Sequence, residues 1–405
     1  MCIAIAAFPV LKPQLPGHIS PEDLLMGASI LAVLFWAGTE KIRLHVPYAI
    51  PMAILLVSGL VAAQFGIDPG AGVLAVFQEV FLLAWATALM TFARSPENLS
   101  LVLATWAWAA TAWATLLIAA INTHQWWLVG SQSADGARAQ LWFDNPNMAG
   151  NYFLVSLFIV LLGRHPRRPL PRVTAIVLIT GAILYTGSNA ALIALGLGLV
   201  VTLVVTIWRR VDLLNALAAA ALVGVLMWGA VLYVVDSGLA SSLEDSSNSL
   251  VARSVARGPK SVEGRSSLFS ESLQLYRTGS LLGRGPASTR TTLDQGFTTS
   301  RVKEAHNDYL ATLVERGVIG VIGLLILVAG IGMRAFAVSL RRLKPAFGAM
   351  LTRPAALAGL VVVMGFTAIT HEVLHYRHAW ALFGLLAALH FHGLARPAVD
   401  AEVSA

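Results

Sequence analysis

The amino-acid sequence predicts an all-α polytopic integral membrane protein of about twelve transmembrane helices with one long hydrophilic loop. Hydrophobic residues make up 57% and charged residues 12% of its 405 residues, and the mean hydropathy is +0.72. A soluble domain holds about 45–50% apolar and 25% charged residues, so the chain lies outside that class. Apolar runs of spanning length recur along the chain, and Lys and Arg collect at alternate ends of those runs. With the bases placed as topology signals, no nucleic-acid partner is expected despite the net charge of +7.

Eleven runs are read as spans, at about Leu24 to Ala37, Val46 to Ala63, Ala71 to Phe92, Leu99 to Ile121, Met148 to Leu162, Val173 to Tyr185, Ala190 to Trp208, Leu213 to Val235, His306 to Met333, Pro354 to Ile369 and Ala379 to Leu394. Met1 to Leu11 makes a twelfth if it extends toward Pro16; twelve is the preferred count and eleven the alternative. This first run has no basic region before it and Lys12 after it, so it is expected to be retained and not cleaved as a signal peptide. The single Cys2 has no internal disulfide partner. Under the twelve-span reading one side collects Lys41, Arg43, Arg94, the bases from Arg164 to Arg172, Arg209, Arg210, Arg334, Arg341, Arg342, Lys344, Arg353 and Arg396. The short loops opposite hold only Arg138 and Arg377. Both termini are therefore expected in the cytoplasm, with Asp236 to Glu304 in the other compartment, because a loop longer than roughly 60 residues translocates largely regardless of its charge. Three parts follow: N-terminal helices 1–235, a loop 236–304, and C-terminal helices 305–405.

Ser237 to Leu250 reads as a flexible lead-in to the loop. Arg253 to Lys303 then holds nine bases against three acids, a local charge of +6, which calls for an anionic partner. RSSLFSESLQLYR places Leu268, Phe269, Leu273 and Tyr276 at helical spacing, the pattern of a short amphipathic helix lying along the membrane surface with Arg265 on or beside its apolar face. The bland reading has these arginines meeting lipid headgroups. SLLGRGPAS enforces a turn through Gly283, Gly285 and Pro286 that brings backbone close to a ligand, and its GxG is too short for a nucleotide fingerprint.

The loop ends in AHNDYLATLVERGVIG, where His306 opens a hydrophobic helix. A titratable group at a membrane boundary is costly unless packing or function retains it. The helix N-terminus favours a neutral imidazole able to take a proton, and it attracts phosphate oxygens. The bland reading is a histidine hydrogen-bonded at the interface.

With WFDNPNMAGNY, GRSSLFSESLQL running into LLGRGPAS, and HNDYLATLVERGVIG in this order, the chain resembles the O-antigen ligase and polymerase superfamily of bacterial envelope glycan transferases. The resemblance implies a GT-C-like membrane glycosyltransferase of the bacterial inner membrane. Its members move a glycan from an undecaprenyl-pyrophosphate carrier to an acceptor hydroxyl on the periplasmic face, without nucleotide, metal or other cofactor. Lipid A-core is the preferred acceptor here; a polymerase and a protein O-oligosaccharyltransferase are the alternatives. By position, His306 matches the family's essential histidine and Arg265 its loop arginine, as general base and charge clamp. Asn145 and Asn147 fall in its Asn-Pro-Asn segment. Many members carry an arginine where this chain has Asn189, so Arg284 or Arg290 is expected to serve the pyrophosphate instead, with Arg377 and His378 lining the glycan site. A direct single displacement by the hydroxyl inverts the anomeric centre, whereas a carboxylate nucleophile allows retention; Glu304 and Asp308 lie close enough in sequence for that.

Two other classes compete. His371, Glu372 and His375 spell the HExxH of zinc peptidases, with His371 and His375 on one face if the segment is helical, but no third ligand is evident. Twelve spans would suit a lipid-linked glycan transporter; charges at helix ends instead of mid-span, and the absence of repeats, argue against it. Trp126 and Trp127 read as an interfacial belt.

Overall fold

A computed structural model of the chain describes residues 1–12, 19–129, 138–143, 145–237, 266–289 and 306–395. Short polar residues followed by proline set many of the helix starts. Ser20 caps α2 (Pro21–Thr39) in a reciprocal capping box with Asp23, Asp68 caps α4 (Pro69–Phe92), Ser95 caps α5 (Pro96–Asn122), and Asn145 caps α7 (Pro146–Leu162). In each case proline occupies the first turn, where its missing amide costs nothing. The other long elements are α3 (Ala49–Gln64), α8 (Pro169–Thr186), α9 (Asn189–Arg210) and α10 (Leu213–Asp236), with α6 (Trp126–Val129) a single turn. After the loop come α11 (266–277), α12 (Asp308–Leu340), the short α13 (Pro345–Gly348), α14 (Ala356–Thr370) and α15 (Arg377–Ala388), which runs into a π-turn at Leu389–Gly393.

Among the described residues there is no sheet, only isolated bridges. Seven helices are long and apolar enough to cross a membrane, and α3, α7 and α14 are shorter apolar helices. The chain is thus a polytopic helical membrane protein. Ten of the predicted runs coincide with these helices, and Ala379 to Leu394 falls on the shorter α15 and its π-turn; at the start the structure corrects the expected twelfth span. Met1 to Leu11 folds into α1 (Cys2–Ala6), five residues and about 7.5 Å long at 1.5 Å per residue, far short of a bilayer core of about 30 Å. Pro9 cannot continue the helix. The segment packs as a wedge instead: Phe8 is buried with its ring against Trp85, Trp106 and Tyr152, and the Trp113 indole donates to the Ala6 carbonyl at 2.7 Å.

Contacts between helix ends divide the bundle into two faces. At one, Arg377 pairs with Asp23, Arg138 bonds the Thr186 carbonyl and Asn147, and Asp308 accepts backbone amides of the α14–α15 turn. At the other, the Arg164 amide bonds the Met350 carbonyl, the Arg172 guanidinium reaches Thr352, and the Lys344 amide bonds the Gly393 carbonyl. The second face gathers the bases that the sequence reading assigned to one side.

Small residues let helices approach where lipid gives no hydrophobic drive to associate. A Cβ on Gly359 of α14 would stand 2.3 Å from the Gly198 carbonyl oxygen of α9, and one on Gly384 of α15 would stand 2.5 Å from the Ala86 carbonyl oxygen of α4. Gly359→Leu should therefore force α9 and α14 apart and cost about 1–3 kcal/mol, as overpacking does. Thermal unfolding in detergent would register it, and an unchanged melting temperature would show that the two helices do not meet there.

Candidate functional site

The first face holds the site. His306 precedes α12 with a left-handed φ of 48°, and Asn307 then caps the helix, its side-chain oxygen accepting the amides of Tyr309 at 2.9 Å and Leu310 at 3.0 Å. These caps satisfy two of the amides that the sequence reading offered to phosphate, while the imidazole stays half-exposed at the helix mouth. Asp308 turns the other way. It is 3% exposed, and its carboxylate accepts the Val373 amide at 2.9 Å and the Leu374 amide at 3.4 Å. That clamp draws the α14–α15 turn against the start of α12 and sets the buried His371 ring edge-on to His306, with centroids 6.1 Å apart.

Below this histidine pair lies a cavity of about 30 Å³, room for about one water, lined by the carboxylates of Glu79, Asp308, Glu315 and Glu372 and by Arg316 and His375. Arg316 is 5% exposed; it pairs with Glu79 of α4 and donates to the Leu55 carbonyl of α3 at 2.8 Å. His375 lines the cavity, with 52% of its side-chain surface accessible. Burial works against its charge, yet the carboxylate of Glu372 at 3.6 Å, with Asp308 and Glu79 beyond, outweighs burial and holds its pKa up at about 9.

Gly317, inside α12, breaks the helix at φ +64°, and the loop turn fills the break. The amides of Arg284 and Gly285 donate to the carbonyls of Val314 and Glu315 at 2.9 and 3.0 Å, and the Val318 amide donates to the Leu281 carbonyl. A Cβ on Gly283 would lie 2.4 Å from the Glu315 oxygen, and one on Gly317 would lie 1.9 Å from the Leu281 oxygen. The close backbone approach expected of the glycine turn is thus made to α12, not to a ligand.

The candidate residues separate accordingly. Arg265 and Arg290, with Glu304, lie outside the described residues. Arg284 directs Nε to the Leu275 carbonyl and a terminal nitrogen to Thr278, so it braces the end of α11. Arg377 forms a two-pronged pair with Asp23, both bonds 2.9 Å. His378 is 2% exposed and bonds Asn151 at 2.8 Å within aromatic rings, inside the helix bundle. Asn145 spends its side chain capping α7. Asn147 accepts from Arg138 at 2.9 Å, beside the Thr186 carbonyl that Arg138 also holds and one turn of chain from Asn189 at the start of α9. Asp308, with both oxygens engaged by backbone amides, is a clamp and is not placed as a nucleophile. The HExxH segment is not helical: His371 is extended at φ −155°, and only Val373–His375 forms a 3-10 turn, so the two histidines do not share a helix face. Among the described residues no group of three His, Cys, Asp or Glu is placed to hold a metal ion.

Glu79 and Arg316 are the residues that sequence reasoning missed, and they correct the expectation that charges sit only at helix ends. A signal was available: Glu79 is the lone charged residue of the 24-residue α4, and an intramembrane carboxylate calls for a named partner. Glu79→Ala would strand Arg316 in a buried site and should cost about 3–5 kcal/mol, most of which Glu79→Ala with Arg316→Met should recover. Thermal unfolding in detergent checks this, and an additive loss in the double variant would show that the pair is not coupled.

No curated protein matches the chain. The model of the O-antigen ligase family matches residues 174–325, which run from α8 through the loop to beyond the break in α12 and include His306, Glu315, Arg316 and Gly317. Over these residues the chain is similar to the O-antigen ligase superfamily, and the match supports that superfamily.

Proposed function

We propose that the protein is an O-antigen ligase that transfers a glycan from undecaprenyl pyrophosphate to lipid A-core oligosaccharide. The basic end would face the cytoplasm and the His306 end the periplasm of a bacterial inner membrane. The observation that carries the reading is the partly exposed His306, inside the segment that matches the family and two residues before Asp308, which lines the cavity. His306 takes the proton of the acceptor hydroxyl as that oxygen attacks the anomeric carbon. The bond to pyrophosphate breaks, and the leaving group departs as an anion that needs stabilising charge and no proton. Arg265 is proposed as the clamp, since a planar guanidinium grips phosphate oxygens in pairs. Because the Asp308 carboxylate is engaged by the Val373 and Leu374 amides, the reading is a single displacement.

Transfer from purified undecaprenyl-pyrophosphate glycan to lipid A-core in detergent tests this, with the product's anomeric configuration read by NMR. Transfer that survives EDTA and inverts the anomeric centre is expected. A retained configuration, or loss of transfer with EDTA, would overturn the mechanism, and transfer only to a second glycan chain would make the enzyme a polymerase.

A further inference from the structure

The basic end of the bundle contains a second cavity, of about 220 Å³, between the α2–α3 connection, the end of α4 and the C-terminal π-turn. Its ionisable lining is Arg43, His45, Arg94 and His392, and among the described residues no carboxylate lines it and no salt bridge reaches either arginine. Arg94 lies over the Trp36 ring at 5.3 Å, which steadies one face of its guanidinium. The basic residues around His392 are Lys344, His45 and Arg94.

Topology requires bases on this side of the membrane; it does not require them around one hollow. Like charges gathered there repel one another, and an anion seated among them would remove that cost. The cavity lies where α2 and α4 end, which is the headgroup level if both helices span the bilayer, and Leu44, Val46 and Phe391 next to its lining residues expose 43%, 50% and 50% of their surface. Those side chains offer an apolar surface for acyl chains, which free phosphate would not use.

We propose that this cavity binds the phosphate headgroup of an anionic phospholipid from the leaflet at the basic end. The guanidinium groups of Arg43 and Arg94 take the phosphate oxygens, and the acyl chains lie along Leu44, Val46 and Phe391. The site is separate from the His306 face and does not depend on which glycan the enzyme transfers.

The test is native mass spectrometry of the full chain in nonionic detergent, titrated with dioctanoyl phosphatidylglycerol or dioctanoyl phosphatidylcholine, with inorganic phosphate as competitor. One retained phosphatidylglycerol, preferred by about tenfold over phosphatidylcholine, is expected. Arg43→Gln combined with Arg94→Gln should abolish the preference, whereas Arg341→Gln with Arg342→Gln, at the same end but outside the cavity, should keep it. Arg43→Gln alone, at an exposed position, should weaken the preference and covers the case in which losing the Arg94 contact with Trp36 unfolds the protein. Equal retention of the two lipids, or equal loss in the Arg341 and Arg342 control, would overturn the proposal. Displacement of the lipid by an equal concentration of phosphate would assign the cavity to the free ion and overturn the lipid.

Discussion

Gly317 interrupts the helix that leads to His306, and a break inside a membrane helix leaves carbonyls and amides that lipid cannot satisfy. The loop turn supplies what the helix has lost, through the Arg284 and Gly285 amides and the Leu281 carbonyl. Only glycine fits on both sides of this junction, because a side chain on Gly283 or Gly317 would collide with the backbone it faces. Satisfying one break therefore fixes where the end of the long loop meets the membrane bundle.

Two further bonds orient the parts around that junction. The Arg316 pairing with Glu79 ties α12 to α4 one residue before the break, and the Asp308 carboxylate ties the first turn of α12 to the α14–α15 connection. Arg316 and Asp308 are buried, and the geometry is held by groups whose alternative would be an unpaired charge or amide in a dry interior. His306 lies just before the Asn307 cap of α12, its ring edge-on to His371, and is partly exposed. As the proposed base, His306 would gain from such a fixed position, since orientation is the larger part of the task.

The spans were legible because a lipid-facing helix needs an unbroken apolar run and because Ser, Asp or Asn before proline marks where several of the runs begin. The histidine motif was legible for the same reason, as a titratable group where an apolar run starts. Pairings across the chain were not. Glu79 and Arg316 lie 237 residues apart, and His371 meets His306 only because Asp308 reaches the turn between α14 and α15. The HExxH spacing assumes a helix, whereas the Val373 and Leu374 amides go to Asp308 instead of to a preceding turn. Arg284 was read as a pyrophosphate ligand and Arg377 as lining the glycan site because sequence shows a charge without showing the carbonyl or carboxylate that it already holds.

His306 is proposed to perform the proton transfer from a position that the surrounding bonds fix. The most direct measurement is the glycan transfer rate of His306→Gln beside the wild type, with thermal unfolding of both proteins in the same detergent. The account predicts a rate lower by about 10²–10⁴-fold, the usual contribution of a general base, with an unchanged melting temperature. A near-wild-type rate in the folded variant would contradict it.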